Sequence, residues 1–246
     1  MAKEKLCKEA FTAGHPNYKG TVLWGTSNTN LHMAYEHLKK GKEFVFIDMP
    51  YFDQTRIHFT DNIKKSYFRV TFNFPQLNKI YSVPEDRFNK LGVTIKPWRK
   101  TGSKILILGS SRGTNSFYGG GLWMNKIKQK VTSQTNKYIV CREKLSSKWV
   151  VAAKPLEDEL VSCFATVSLI SIASVKSVLE GVPTFCHPDS CCAPIAQTFK
   201  DTRLNLEKPY RPGGRLKWAQ SLAYGQFTLE EMAKGLPFIH HKEYFS

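Results

Sequence analysis

The chain is short of acids and has no long apolar run. Among its 246 residues, 20 Asp and Glu face 36 Lys and Arg, a net charge of +16. No stretch approaches the roughly 18–20 apolar residues that cross a bilayer. Met1-Ala-Lys-Glu-Lys-Leu-Cys-Lys-Glu9 mixes acids and bases with no apolar segment behind it, which argues against a signal peptide. The expectation is therefore a soluble, cytoplasmic protein with no membrane partner. No CxxC pair occurs among Cys7, Cys141, Cys163, Cys186, Cys191 and Cys192, and the adjacent Cys191-Cys192 do not suit one zinc site. Reduced thiols account for all six, and His240-His241 is equally weak as a metal pair. Neither GxGxxG nor a P-loop is present, so the commonest dinucleotide and nucleotide fingerprints are excluded.

What is present is a globular composition, 41% hydrophobic and 13% aromatic. The basic excess is evenly spread. Residues 1–103 hold 17 bases and 9 acids, and the remainder hold 19 and 11. A broad positive field attracts polyanions, nucleic acid first among them; the bland reading is a basic surface that keeps the protein soluble.

Along the chain, the patterning predicts two successive α/β halves that break near residue 100. In residues 1–100, a short strand at Gly20–Gly25, a helix at Leu31–Lys40 closed by Gly41, and an apolar strand at Phe44–Asp48 make a βαβ unit with a parallel sheet. Tyr67–Asn73 reads as a further strand. In residues 101–246, Lys104–Leu108 is a buried strand followed by the polar loop Gly109-Ser-Ser-Arg-Gly113, with a helix at 121–131. Strands follow at 137–141, 160–166 and 182–186, and helices at Ser168–Glu180, 216–224 and 228–235, the last opened by a Thr228/Glu231 capping box. Both halves read as Rossmann-like, with ligands expected at the C-terminal ends of their strands.

That edge selects the candidate residues. Ser110 and Ser111 follow a buried strand and read either as an anion-binding loop or as a plain turn. Arg142 and Lys144 directly follow the next strand, at its C-terminal edge, where two cations suit a diphosphate or, with Glu143, form a solvated face. Ser171 and Ser174 belong to a small, hydroxyl-rich helix start that favours anions, and Glu180 closes the same helix before Gly181-Val182-Pro183. Asp48, at the end of its strand, is the candidate base, and Asp53 follows in the next loop; the plain reading of Asp48 is a turn residue before Pro50. For contact with DNA the candidates are Lys64, Lys65, Arg69, Lys96, Arg99 and Lys100, interleaved with Tyr67, Phe68 and Trp98.

The Ser174–Pro183 segment resembles the small-residue helix closing in Gly-x-Pro of nucleotide-sugar-dependent glycosyltransferases of the GT-B type. More narrowly, Tyr67–Asn73, Arg87–Arg99, Ile105–Ser111, Ile139–Lys144 and Arg215–Glu231, in that order, resemble small glycosyltransferase-like proteins of bacteriophages. The resemblance implies two Rossmann-like halves facing across a cleft, a nucleotide-diphospho-sugar donor in the second half and an acceptor against the first. It implies Ser110, Ser111, Arg142 and Lys144 on the diphosphate, Ser171 and Ser174 beside it, and Glu180 on ribose or sugar hydroxyls. The donor enters as substrate, with no cofactor and no metal, and the host cytoplasm is the implied location. The implied activity is transfer of a hexose or pentose onto a hydroxymethylated pyrimidine in phage DNA. Two other readings remain: a non-enzymatic basic DNA-binding protein, and a glycosyltransferase acting on a glycan or small molecule.

Overall fold

The computed structural model describes residues 2–52, 63–144, 155–199 and 204–245. The chain divides into two units, residues 1–93 with 216–246, and residues 94–215. Each has its own sheet with its own flanking helices. The division lies near the expected residue 100, but the last 31 residues belong to the first unit and not to the second.

The first unit contains α1 (Ala2–Gly14), β1 (Thr21–Trp24), α2 (Asn28–Lys39), β2 (Phe44–Asp48), β3 (Phe68–Phe72) and α3 (Asp86–Lys90). The sheet order is β1-β2-β3-β9, where β9 is Gln226–Phe227. Only β1 and β2 are parallel; β3 runs antiparallel to both β2 and β9, so this sheet is mixed where the sequence suggests a parallel one. Val45, Ile47, Phe68, Val70 and Phe227 share a core with Cys7 and Phe11 of α1. That stripe explains a helix the sequence reading lacks: Cys7 and Phe11 lie one turn apart and are fully buried, although charges surround them in sequence. The polar run Thr26–Asn30 opens α2. The Ser27 side chain accepts from Asn30 N, and Asn30 Nδ2 donates to the Trp24 and Gly25 carbonyls.

The second unit contains β4 (Lys104–Leu108), α4 (Arg112–Gly119), α5 (Trp123–Thr132), β5 (Tyr138–Arg142), α6 (Leu156–Leu160), β6 (Cys163–Ser168), α7 (Ala173–Leu179), β7 (Thr184–Cys186) and β8 (Gln197–Thr198). Its sheet is entirely parallel, in the order β5-β4-β6-β7-β8. The run Lys-Ile-Leu-Ile-Leu of β4 is apolar throughout because both faces are covered. Ile105 and Ile107 meet Trp123, Ile127 and Val131 of α5, while Leu106 and Leu108 meet Leu160 and Val182.

After the second unit the chain returns through α8 (Arg215–Tyr224), α9 (Leu229–Ala233) and α10 (Leu236–His240), ending in a π-helical turn at His241–Phe245. The capping box at Thr228 and Glu231 forms as expected. Aromatic contacts seat these last elements on the first unit. His240 stacks on Tyr224 (4.9 Å, 26°), His241 on Phe72 (4.2 Å, 11°), and Phe238 packs against His15 (5.0 Å). Burial pushes all three imidazoles below the ordinary histidine pKa. In the unfolded chain they take up protons near pH 6.5, while the folded sites resist them, so stability is retained above that pH and falls as the pH drops below it. Urea midpoints of the full chain are expected to decrease between pH 7 and 5, and His241→Phe is expected to shallow that decrease.

Candidate ligand site in the second unit

Strand order places the site. From β4 the chain passes to β5 on one side, and its next strand, β6, lies on the other side of β4. In an open parallel sheet, the two connections then leave a crevice at the C-terminal ends of the strands flanking the reversal. Leu108 and Ser168 are register partners at those ends, so Gly109–Ser111 and Leu169–Ser171 form the lips.

Ser111 is the N-cap of α4 and accepts from Thr114 N at 3.2 Å. Gly109 is required by packing: a Cβ there would lie 2.9 Å from the Arg142 carbonyl. Ser110 is 8% exposed, and its Oγ has no hydrogen-bond partner among the described residues; nor has the buried Oδ1 of Asn115. The Asn115 Nδ2 reaches the Ser110 carbonyl at 3.5 Å, so the two orphaned atoms belong to one turn. An unpaired buried polar atom costs about 1–3 kcal/mol, and two together mark a place that a polar ligand would relieve. Ser110→Ala is accordingly expected to leave unfolding stability unchanged or raised by up to about 1 kcal/mol. The same change should weaken any ligand of this turn about tenfold in calorimetry.

At the end of β7 lies a group that the sequence reading missed. His187 N donates to Leu169 O at 3.1 Å, joining it to the lip of the crevice. Its Nδ1 lies 3.2 Å from Asp189 N and 3.3 Å from Asp189 Oδ2. The Tyr118 hydroxyl of α4 donates to the same carboxylate oxygen at 3.0 Å, and its ring packs on the imidazole at 4.5 Å. Because Nδ1 accepts from the Asp189 N–H, the neutral ring carries its own proton on Nε2, where it can donate to a ligand oxygen. The signal was available in sequence: His187 directly follows a short apolar strand, as Arg142 does. Tyr118, 69 positions upstream, was not.

Arg142 ends β5 beside Leu108, but its Nη1 bonds Glu159 of α6 at 2.7 Å with both side chains about one-fifth exposed, so its charge is already balanced. Lys144 is exposed just beyond the strand. Strand β6 runs through Ser168 and α7 starts only at Ala173, which shortens the helix expected at 168–180. Ser171 stays half-buried at the lip, whereas Ser174 is fully buried and its hydroxyl bonds that of Ser168 at 2.5 Å. Ser174 therefore supports the lip from beneath. Glu180 caps the far end of α7, about 10 Å along the axis from Ala173, and bonds Lys96 at 2.5 Å and Lys176 at 3.6 Å. It is not part of the crevice.

In the first unit Asp48 and Arg69 are register partners, and the Arg69 Nη2 donates to Asp48 Oδ2 at 2.6 Å. The other carboxylate oxygen accepts from Met49 N at 2.7 Å, and Arg69 Nη1 donates to Met49 O. With both oxygens engaged, Asp48 holds the exit from β2 and does not present a free base. Arg69 is 1% exposed and so cannot meet a phosphate. Arg99 is likewise occupied, donating to the carbonyls of Leu160, Val161 and Cys163. Of the other expected DNA contacts, Lys96 is paired with Glu180, while Lys65 and Lys100 are exposed. The Lys64 side chain and Asp53 lie outside the described residues. Phe68 is core, and Trp98 lies under the Arg215 guanidinium at 3.9 Å.

No protein-family model matches the chain, and no curated protein does. Among solved structures, it is similar to the β-Kdo 2,7 transferase KpsC of Thermosulfurimonas dismutans. The match has a TM-score of 0.48 and 12% identity, and covers 96% of this chain and 88% of that one. Among the described residues, no helix is long and apolar enough to cross a membrane, and no three His, Cys, Asp or Glu side chains are grouped to hold a metal ion.

Proposed function

We propose that the protein is a glycosyltransferase whose second unit takes a nucleotide-activated sugar at the strand-order reversal. The observation that carries this reading is the turn with orphaned Ser110 Oγ and Asn115 Oδ1, two strands from an anchored imidazole. Strands are about 4.8 Å apart, so the turn and His187 stand roughly 10 Å from one another, a span suited to a nucleotide phosphate and its sugar. In the transfer, the bond from the anomeric carbon to the donor phosphate oxygen breaks with its electron pair leaving on that oxygen, and the acceptor oxygen bonds the carbon and gives up its proton to solvent. Ser110, Ser111 and Ser171 would hold the donor's phosphate. His187, steadied by Asp189 and Tyr118, would bear a proton beside the leaving oxygen. The sequence resemblance to GT-B enzymes points the same way.

For the acceptor we favour a hydroxyl of a glycan or small molecule. Three of the six cations expected on DNA, Arg69, Arg99 and Lys96, are engaged within the protein. Transfer to a hydroxymethylated base in DNA is the second reading, favoured by the charge of +16. The test incubates the full chain with a panel of nucleotide sugars and with oligosaccharide, small polyol and hydroxymethylated duplex acceptors, followed by mass spectrometry. Labelled sugar on the carbohydrate acceptors supports the first reading, and label on DNA alone the second. Nucleotide release from no donor contradicts both. His187→Ala is expected to lower turnover about a hundredfold with little change in unfolding midpoint.

A further inference from the structure

Between Gly109 and Asn115 stand four uncharged polar side chains, Ser110, Ser111, Thr114 and Asn115. Two of them answer each other. The Ser111 and Thr114 hydroxyls meet at 2.9 Å, and Ser111 Oγ also accepts from Thr114 N. Ser110 Oγ and Asn115 Oδ1 are the two atoms of this turn left buried without a hydrogen bond among the described residues. Ser110 directly precedes the N-cap of α4 and is 8% exposed. Asn115 lies in the first turn of the same helix. Helical side chains tilt toward their own N-terminus, so its amide leans back over Ser110.

The two unmet atoms ask for different partners. Asn115 Nδ2 lies 3.5 Å from the Ser110 carbonyl. A carbonyl only accepts, so the amide nitrogen is fixed on that side, and Oδ1 faces the other way with nothing to do but accept. Ser110 Oγ carries a proton and can donate. The N–H groups of Arg112 and Gly113 open α4 and have no carbonyl within the helix to bond, so they are donors as well. The oxygens of an ionised phosphate satisfy all of these donors. They hold no proton for Asn115 Oδ1, which a phosphate alone leaves unmet.

The turn therefore suits a ligand that sets an O–H donor beside its phosphate. In nucleotides and sugar phosphates the nearest such donors are hydroxyls of the sugar bonded to the phosphate; base N–H groups lie beyond that sugar. We propose that Asn115 Oδ1 accepts from this hydroxyl while Ser110 Oγ donates to the phosphate, so that the site takes hydroxylated sugar phosphates and discriminates against their deoxy forms. A buried group that bonds a hydroxyl rejects the analogue lacking it, because the group is then left unpaired. The inference rests on the nucleotide reading of the crevice and names the substrate class within it. The ribose of the nucleotide and the transferred sugar are the two sources of such a hydroxyl, and the test separates them.

The test is calorimetry of the full chain with the four ribonucleoside diphosphates, their 2′-deoxy and 3′-deoxy forms, and glucose 1-phosphate with its 2-deoxy form. The expected result is that, in one of these sets, the deoxy ligand binds the parent about tenfold more weakly than its hydroxylated counterpart. In Asn115→Ala the two are expected to bind equally, whereas Ser110→Ala weakens both about tenfold and keeps their ratio. Urea midpoints should place Asn115→Ala at or above the parent, since the change removes an unmet buried acceptor. Discrimination within the nucleotides assigns the hydroxyl to ribose, and within the hexose phosphates to the transferred sugar. Equal binding of every pair to the parent, discrimination that persists in Asn115→Ala, or discrimination lost equally in Ser110→Ala overturns the inference while the nucleotide site stands. No binding of any ligand at millimolar concentration overturns both.

Discussion

Asp48→Ala is expected to lower the unfolding free energy by about 3–5 kcal/mol, because it leaves the Arg69 guanidinium buried without its counter-charge. The Arg69 side chain is 2% exposed and that of Asp48 15%, so water cannot replace the lost carboxylate. Nor can the neighbours: Arg69 has the Met49 carbonyl and the Tyr51 ring at 5.8 Å, both uncharged, and its Nε is buried with no partner among the described residues. The change should appear in urea titration and as a loss of roughly 10 °C in the melting temperature. The double variant Asp48→Leu/Arg69→Met is expected to be more stable than Asp48→Ala alone, since removing both charges also removes the desolvation penalty. A loss under 1 kcal/mol in Asp48→Ala would mean that the carboxylate is free for chemistry after all.

The second large effect is Gly181→Ala, expected to cost about 3 kcal/mol or more. Gly181 has φ +75°, a region that strains an L-residue by about 1–3 kcal/mol, and an added Cβ would lie 2.0 Å from the Pro97 carbonyl oxygen. The neighbouring hydrogen bonds prevent an easy retreat. Lys96 N donates to Leu179 O, Arg99 N to Gly181 O, and the Arg215 side chain to both Lys96 O and Val178 O. Gly181-Val182-Pro183 is thus where the segment entering the second unit is fastened to the end of α7. Glu180→Gln provides the contrast. It should leave nucleotide affinity within twofold, because Glu180 serves Lys96 and Lys176 away from the crevice.

These two cases show what can be read from residues alone. Strands β2 and β4 were legible because burial on both faces makes them continuous apolar runs, and the polar turn after β4 followed from them. Helix α1 was hidden because its buried stripe is narrow and interrupted by Lys and Glu. The return of residues 216–246 to the first unit was hidden because adjacency in sequence favours the neighbouring half. Arg69 and Arg99 looked like cations for a polyanion, since a sequence does not say which charges are paired inside. Ser110 and Ser171 stand at the C-terminal edge of the sheet because each lies within three residues of a strand end. Ser174 and Glu180 do not, because the helix starts five residues later than its hydroxyl pattern suggests and points its far end away. Arg142 was correctly placed at a strand end, but Glu159, which neutralises it, comes from a helix 17 residues on.

The proposed transfer requires that the strand-order reversal in the second unit receive a nucleotide. Backbone amide NMR of the full chain, titrated with a panel of nucleoside mono- and diphosphates, tests it most directly. Saturable shifts centred on Gly109–Asn115, Leu169–Ala173 and His187 are the expected result. The absence of any shift at millimolar nucleotide, or shifts gathered around Asp48 and Glu180 in place of that crevice, would contradict it.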